Sequence, residues 1–83
     1  MKRTWNYRIM ATPVNGEPEP YFQIMEVHYT DDVPTGYSSL GARFGGDTVE
    51  EIAMMLDLAK SAIEKPVLWY GDRFPKEYKK QTT

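Results

Sequence analysis

From Trp5 to Met10 the side chains alternate, with Trp5, Tyr7 and Ile9 on one side and Asn6, Arg8 and Met10 on the other. That period of two, in aromatic and β-branched residues, predicts a strand. Tyr21–Thr30 gives a stronger signal: Tyr21, Phe22, Ile24, Val27 and Tyr29 put apolar groups on both faces, as a central strand requires. Between the two, Thr12–Pro20 holds three prolines and Asn15-Gly16, so it reads as a loop around a turn. Asp31-Asp32-Val33-Pro34-Thr35-Gly36 carries turn chemistry, with Gly36 suited to positive φ. A third, shorter strand is expected over Tyr37–Phe44, where Leu40, Ala42 and Phe44 oppose Tyr37, Ser39, Gly41 and Arg43.

The period then changes. Asp47-Thr48-Val49-Glu50-Glu51 offers two overlapping capping boxes, Asp47 with Glu50 and Thr48 with Glu51, and its acids suit the positive end of a helix dipole. At 3.6 residues per turn, Val49, Ile52, Ala53, Met55, Leu56, Ala59 and Ile63 share one broad arc, predicting a helix over 48–64 whose apolar side roofs the sheet. Pro66 stops it, having no N–H to continue the ladder and biasing Lys65 to extended geometry. Val67-Leu68-Trp69-Tyr70 is long enough for a short fourth strand or an extended segment across the core. The reading is an α+β domain: a three- or four-stranded antiparallel sheet with one long helix on one face, ordered over about 4–71, and a basic, mobile tail over 72–83.

Eighty-three residues bound this to one domain with one small core, which raises the prospect of a homodimer. The absence of cysteine and the single histidine exclude a disulfide framework, a thiolate metal site and a multi-histidine metal centre. With no stretch of about eighteen apolar residues, a membrane span is not expected and a cytoplasmic location is the default. Charge is distributed unevenly: +3 over residues 1–10, −8 over 11–64 and +3 over 65–83. An acidic body repels nucleic acid and attracts basic surfaces.

Each candidate for chemistry has a plainer reading. Glu26 and His28 share a strand face but have no nucleophile motif beside them, so a surface pair is the better account and no enzyme activity is expected. Asp31 and Asp32 lack the further oxygen ligands of a calcium loop. Gly41, Gly45 and Gly46 precede a helix as in phosphate loops, yet acids fill the first turn and no P-loop lysine follows. No cofactor or metal is expected. Two surfaces remain. Met54 and Leu58, four apart beside Glu51, point away from the core arc and resemble a small contact patch. Tyr7, Arg8, Tyr29, Tyr37 and Arg43 are expected on the sheet, where an open face would display tyrosine with arginine.

The segments Trp5-Asn6-Tyr7-Arg8-Ile9, Tyr21 to Tyr29, and Gly46-Asp47-Thr48-Val49-Glu50-Glu51 through Lys65-Pro66-Val67-Leu68 resemble a group of small uncharacterised bacterial proteins, over most of residues 5 to 68. That resemblance implies a fold and a bacterial or phage source, and no activity. More distantly, three strands followed by Gly46–Glu51 and a helix ending at Ala62-Ile63-Glu64 are similar to the sheet-and-helix domain of HicB-type antitoxins. The similarity implies a strand-strand-strand-helix-strand order and a toxin partner. This chain lacks that family's usual Pro-Asp-Leu-Pro-Gly turn and its separate DNA-binding segment. The expected function is protein binding by a small regulatory, antitoxin-like or inhibitor module; the alternative is single-stranded nucleic-acid binding through the aromatic and basic sheet face.

Overall fold

The computed structural model describes residues 1–80. Strand β1 (Arg3–Thr12) pairs antiparallel with β2 (Tyr21–Thr30) over their whole length, from Arg3 opposite Thr30 to Thr12 opposite Tyr21. The proline-rich loop joins them as expected, with Gly16 at a φ of 82°. Strand β3 (Val33–Tyr37) follows at once on the far edge of β2. Helix α1 (Val49–Lys60), extended by a 3-10 turn (Ser61–Glu64), carries the chain across to β4 (Leu68–Trp69), which lies beside β1. The order is β3-β2-β1-β4, and the fold is α+β with a strongly curled sheet.

Two expectations are corrected. The sheet is mixed, because β4 runs parallel to β1, with Met10 opposite Leu68 and Ala11 opposite Trp69. A helical crossover returns the chain to the end of the sheet it left, so a strand laid down after one comes in parallel. The third strand falls earlier than the 37–44 expected. Asp31 and Asp32 both take positive φ, 49° and 68°, and make the turn in two residues, leaving Val33–Tyr37 free to pair. Pro34 is tolerated because β3 is an edge. Residues 38–42 only brush β2, through the Ser38 N–H to the Glu26 carbonyl and the Ala42 N–H to the Ile24 carbonyl, each 2.9 Å.

Both faces of the sheet are covered near its middle, which is why Tyr7, Arg8, Met10 and Ala11 are all buried along one strand. On one face Tyr7 meets Ala59 and Ala62, with Ile9, Ile24 and Ala42 around them. On the other, Met10, Met25, Val27 and Leu68 form a second cluster, flanked by Tyr29, Tyr37, Tyr70 and Phe74. Each large apolar side chain in it contributes about 1.5–3 kcal/mol relative to exposure. Part of the cover there comes from Phe74, beyond the 4–71 expected as the ordered core. Beyond β4 the chain turns at residues 72–76 and folds back on itself: the Trp69 N–H donates to the Lys76 carbonyl at 2.9 Å and the Tyr78 N–H to the Val67 carbonyl at 2.7 Å. Residues 81–83 of the expected tail lie outside the described residues.

Candidate partner-binding surface

Thr48 caps α1 from an extended conformation. Its Oγ1 accepts from the Glu51 N–H at 3.1 Å, and Glu51 Oε2 accepts in turn from the Asp47 N–H at 3.0 Å. Of the two capping boxes offered by the sequence, the Thr48–Glu51 pair is the one that forms. Glu51 is thereby folded over Gly46, where a Cβ would come within 2.5 Å of its carboxylate. This candidate contact residue therefore has a structural duty, and its carboxylate occupies the place an anion would need.

The sheet side of the helix is a narrow line, Ile52 and Met55 half-buried and Ala59 and Ala62 buried. The rest of the arc expected to roof the sheet is not covered: Ala53 is exposed, as are Val49 at 78%, Leu56 at 51% and Ile63 at 68%. Small residues bring the end of the helix close to Tyr7, and a sheet that curls away offers a straight rod only that one line of contact. Met54 and Leu58 point outward as the spacing predicted, 66% and 51% exposed. The helix thus carries apolar groups on both sides of its seated line, and its polar strip of Glu50, Asp57, Ser61 and Glu64 is narrow.

The sheet candidates are not brought together. Tyr7 is 1% exposed beneath the helix, edge-on to Trp5 at 5.3 Å and tilted against Phe44 at 5.9 Å. Burial first, and the Glu26 carboxylate opposite second, push its phenol above the ordinary value of 10.0. Arg8 is buried on the other face. Its Nη2 and Nε donate to the Pro66 carbonyl at 2.7 and 3.3 Å and its Nη1 to the Tyr29 hydroxyl at 2.7 Å. Tyr37 packs on Tyr70 and Phe74 with centroids 4.9 and 4.8 Å away, and its hydroxyl accepts from the Gly71 N–H. Arg43 alone of the five is exposed, on the loop before the helix. The open aromatic face expected opposite the helix is therefore replaced by a second core.

Sequence reasoning missed a groove of about 550 Å³ between the proline loop and the segment after β4, with Val14, Pro18 and Pro20 facing Trp69 and Arg73. At its side Tyr78 lies edge-on to Trp69 at 5.1 Å and to Phe22 at 5.5 Å, and the Arg73 guanidinium sits 4.5 Å over the Trp69 ring. Turn residues gave no warning of it, since the groove exists only because the chain end folds back. Glu26 and His28 share the helix-side face of β2, opposite Tyr7 and Trp5. Asp31 is occupied structurally, its Oδ1 accepting from the Lys2 N–H at 2.9 Å. Among the described residues no three His, Cys, Asp or Glu groups are placed to hold a metal ion, and no helix is long and apolar enough to cross a membrane. No family model, no curated protein and no solved structure matches the chain.

Proposed function

We propose that the chain is a non-enzymatic protein-binding module, a small regulatory, antitoxin-like or inhibitor protein of bacterial or phage origin, whose partner docks on the flank of α1 that carries Met54 and Leu58. The observation behind this reading is the exposure of those two large apolar side chains, one turn apart, on a helix whose seated side is elsewhere. An exposed methionine beside leucine presents a pliant apolar surface, and Glu50 and Asp57 around it favour a partner with a basic rim. The element order β-β-β-α-β agrees with the arrangement that the similarity to HicB-type antitoxins implies. Capture by immobilised wild-type chain, set against Met54→Asp with Leu58→Asp, tests it. A partner retained equally by both would remove this flank from recognition.

Single-stranded nucleic acid is the second reading, now at the groove beside Trp69, where Tyr78 offers a ring and Arg73, Lys79 and Lys80 offer charge. Glu17 and Glu19 on the loop oppose it. Counterion release makes such binding steeply salt-dependent, so an oligonucleotide titration at rising salt separates the readings. No binding at low salt removes this one.

A further inference from the structure

The groove beside Trp69 is the larger end of a longer trough. One wall is the loop that leaves β1 at Thr12 and enters β2 at Tyr21, stiffened by Pro13, Pro18 and Pro20 and closed by the Glu17 N–H to the Val14 carbonyl at 3.1 Å. The other is the chain after β4. Its Tyr70 N–H donates to the Ala11 carbonyl of β1 at 2.9 Å, and it then turns away, the Phe74 N–H donating to the Gly71 carbonyl at 3.0 Å. The trough opens where these two chains part, and each wall is fixed by a hydrogen bond of its own. A second depression of about 400 Å³ continues the first, sharing Pro18, Glu19, Pro20, Trp69 and Arg73 with it. Both volumes fall within the range of about 300–1,000 Å³ that ligand sites occupy.

Charge along the trough is polarised. Glu17 and Asp72 line only the first depression, and Lys79 and Lys80 only the second. In the shared middle Glu19 stands with Arg73, whose guanidinium lies over the Trp69 ring. The ends therefore keep opposite signs across an apolar centre of Pro18, Pro20 and Trp69. Single-stranded nucleic acid, negative at every phosphate, meets repulsion at Glu17 and Asp72, and a uniformly basic segment meets it at Lys79 and Lys80. An extended polypeptide carries one charge of each sign at a separation. Proline between those charges packs on aromatic walls and holds the chain extended before it binds. We propose that the trough binds an extended, proline-containing segment of a partner protein, its basic side chain against Glu17 and Asp72 and its acidic side chain against Lys79 and Lys80. Among the described residues none from α1 lines the trough, so this recognition surface is separate from the flank of Met54 and Leu58 and goes beyond the partner reading.

Capped synthetic peptides test this: a mixed one with arginine at one end, glutamate at the other and three prolines between, made in both chain directions, and two controls with both ends basic or both acidic. In the full chain carrying Trp5→Phe, Trp69 is the sole indole. Its emission should change and saturate as a mixed peptide is added up to about 1 mM. Either control should bind at least about tenfold more weakly, because one of its ends meets like charge. Lys79→Glu with Lys80→Glu makes both ends of the trough acidic and should transfer the preference to the doubly basic peptide. Those lysines are exposed at the end of the fold-back, so their replacement leaves the fold intact. Glu17→Lys with Asp72→Lys should transfer it to the doubly acidic peptide, and that gain of binding itself reports a folded variant. A wild type that shows no saturable change with either mixed peptide, or that binds a control as well, overturns the inference. So does a Lys79→Glu, Lys80→Glu protein whose preference is unchanged. An oligothymidylate that binds at Trp69 more tightly than the mixed peptide at low salt overturns it in favour of nucleic acid. Met54→Asp with Leu58→Asp should leave peptide binding unchanged, so the failure of this inference and the failure of the partner reading are told apart.

Discussion

Arg8 grips the Pro66 carbonyl with two nitrogens, Nη2 at 2.7 Å and Nε at 3.3 Å, and so fastens the middle of β1 to the residue that ends the helical segment. Its third contact, to the Tyr29 hydroxyl, ties the same guanidinium across to β2. Arg8→Met fills the space but strands a buried acceptor and a hydroxyl, which costs about 2–3 kcal/mol. At roughly 4–8 °C per kcal/mol for a domain of this size, Tm should fall by about 10 °C or more. Arg8→Lys should recover less than half of the loss, because a point charge cannot reproduce a planar fork. Thermal denaturation of the three proteins checks both.

The cap at the other end of the helix makes a smaller prediction with a distinctive form. Thr48→Ala should cost about 1 kcal/mol. Glu51→Ala should cost less, since it removes one exposed bond to the Asp47 N–H. Because the two side chains serve a single helix start, the double variant should lose less than the sum of the two, and a double-mutant cycle in urea measures that coupling.

What local pattern encodes was legible in the chain: β1 and β2 from alternation, the loop from its prolines, the helix limits from Thr48 and Pro66. What depends on remote contact was not. Pro34 read as a turn residue because the edge position that tolerates it cannot be recognised before the sheet order is known. Arg8 read as a surface cation because the Pro66 carbonyl that satisfies it is 58 residues away. The helix was legible from its period, but of the apolar arc expected on the sheet only Ile52, Met55 and Ala59 are seated, because periodicity says nothing of how much of an arc a curled sheet can cover. For the same reason Met54 and Leu58 were legible as outward-facing, whereas Val49, Leu56 and Ile63 read as core.

The tight turn between β2 and β3 holds two aspartates at positive φ, where a side chain is disfavoured. Asp31 has compensation, since it accepts from the Lys2 N–H. Asp32 has none of that kind among the described residues. Asp32→Gly should therefore stabilise the chain by several tenths of a kcal/mol, up to about 1. Asp32→Val should destabilise it, because a β-branched residue is a poor occupant of that region. Urea midpoints of the two variants should move in opposite directions.

Seating through small residues separates folding from recognition. Ala62 is fully buried against Tyr7, so Ala62→Leu should overpack that contact and cost about 1–3 kcal/mol. Met54→Asp with Leu58→Asp changes more chemistry on the same helical segment, yet both sites are exposed and each change should stay within about 0.5 kcal/mol. Denaturation midpoints measured beside partner capture then tell a lost surface from a lost fold.

Tyr7 should give stability an alkaline edge. Its phenol is pushed above 10.0 chiefly by burial, with the Glu26 carboxylate adding to the effect. In the unfolded chain the group ionises near its ordinary value, so between that value and the raised one the folded state holds a proton that the unfolded state has lost. The contribution is fully present below pH 10, and stability falls as pH rises from there through the raised pKa. Tyr7→Phe abolishes that difference, so the variant should lose the Tyr7 share of the decline in unfolding free energy above pH 10. Phenolate absorbance supplies the direct measure: the difference between wild type and Tyr7→Phe should titrate above 10.0. A difference that titrated at the ordinary phenol value would mean that the Tyr7 ring is not held beneath the helix.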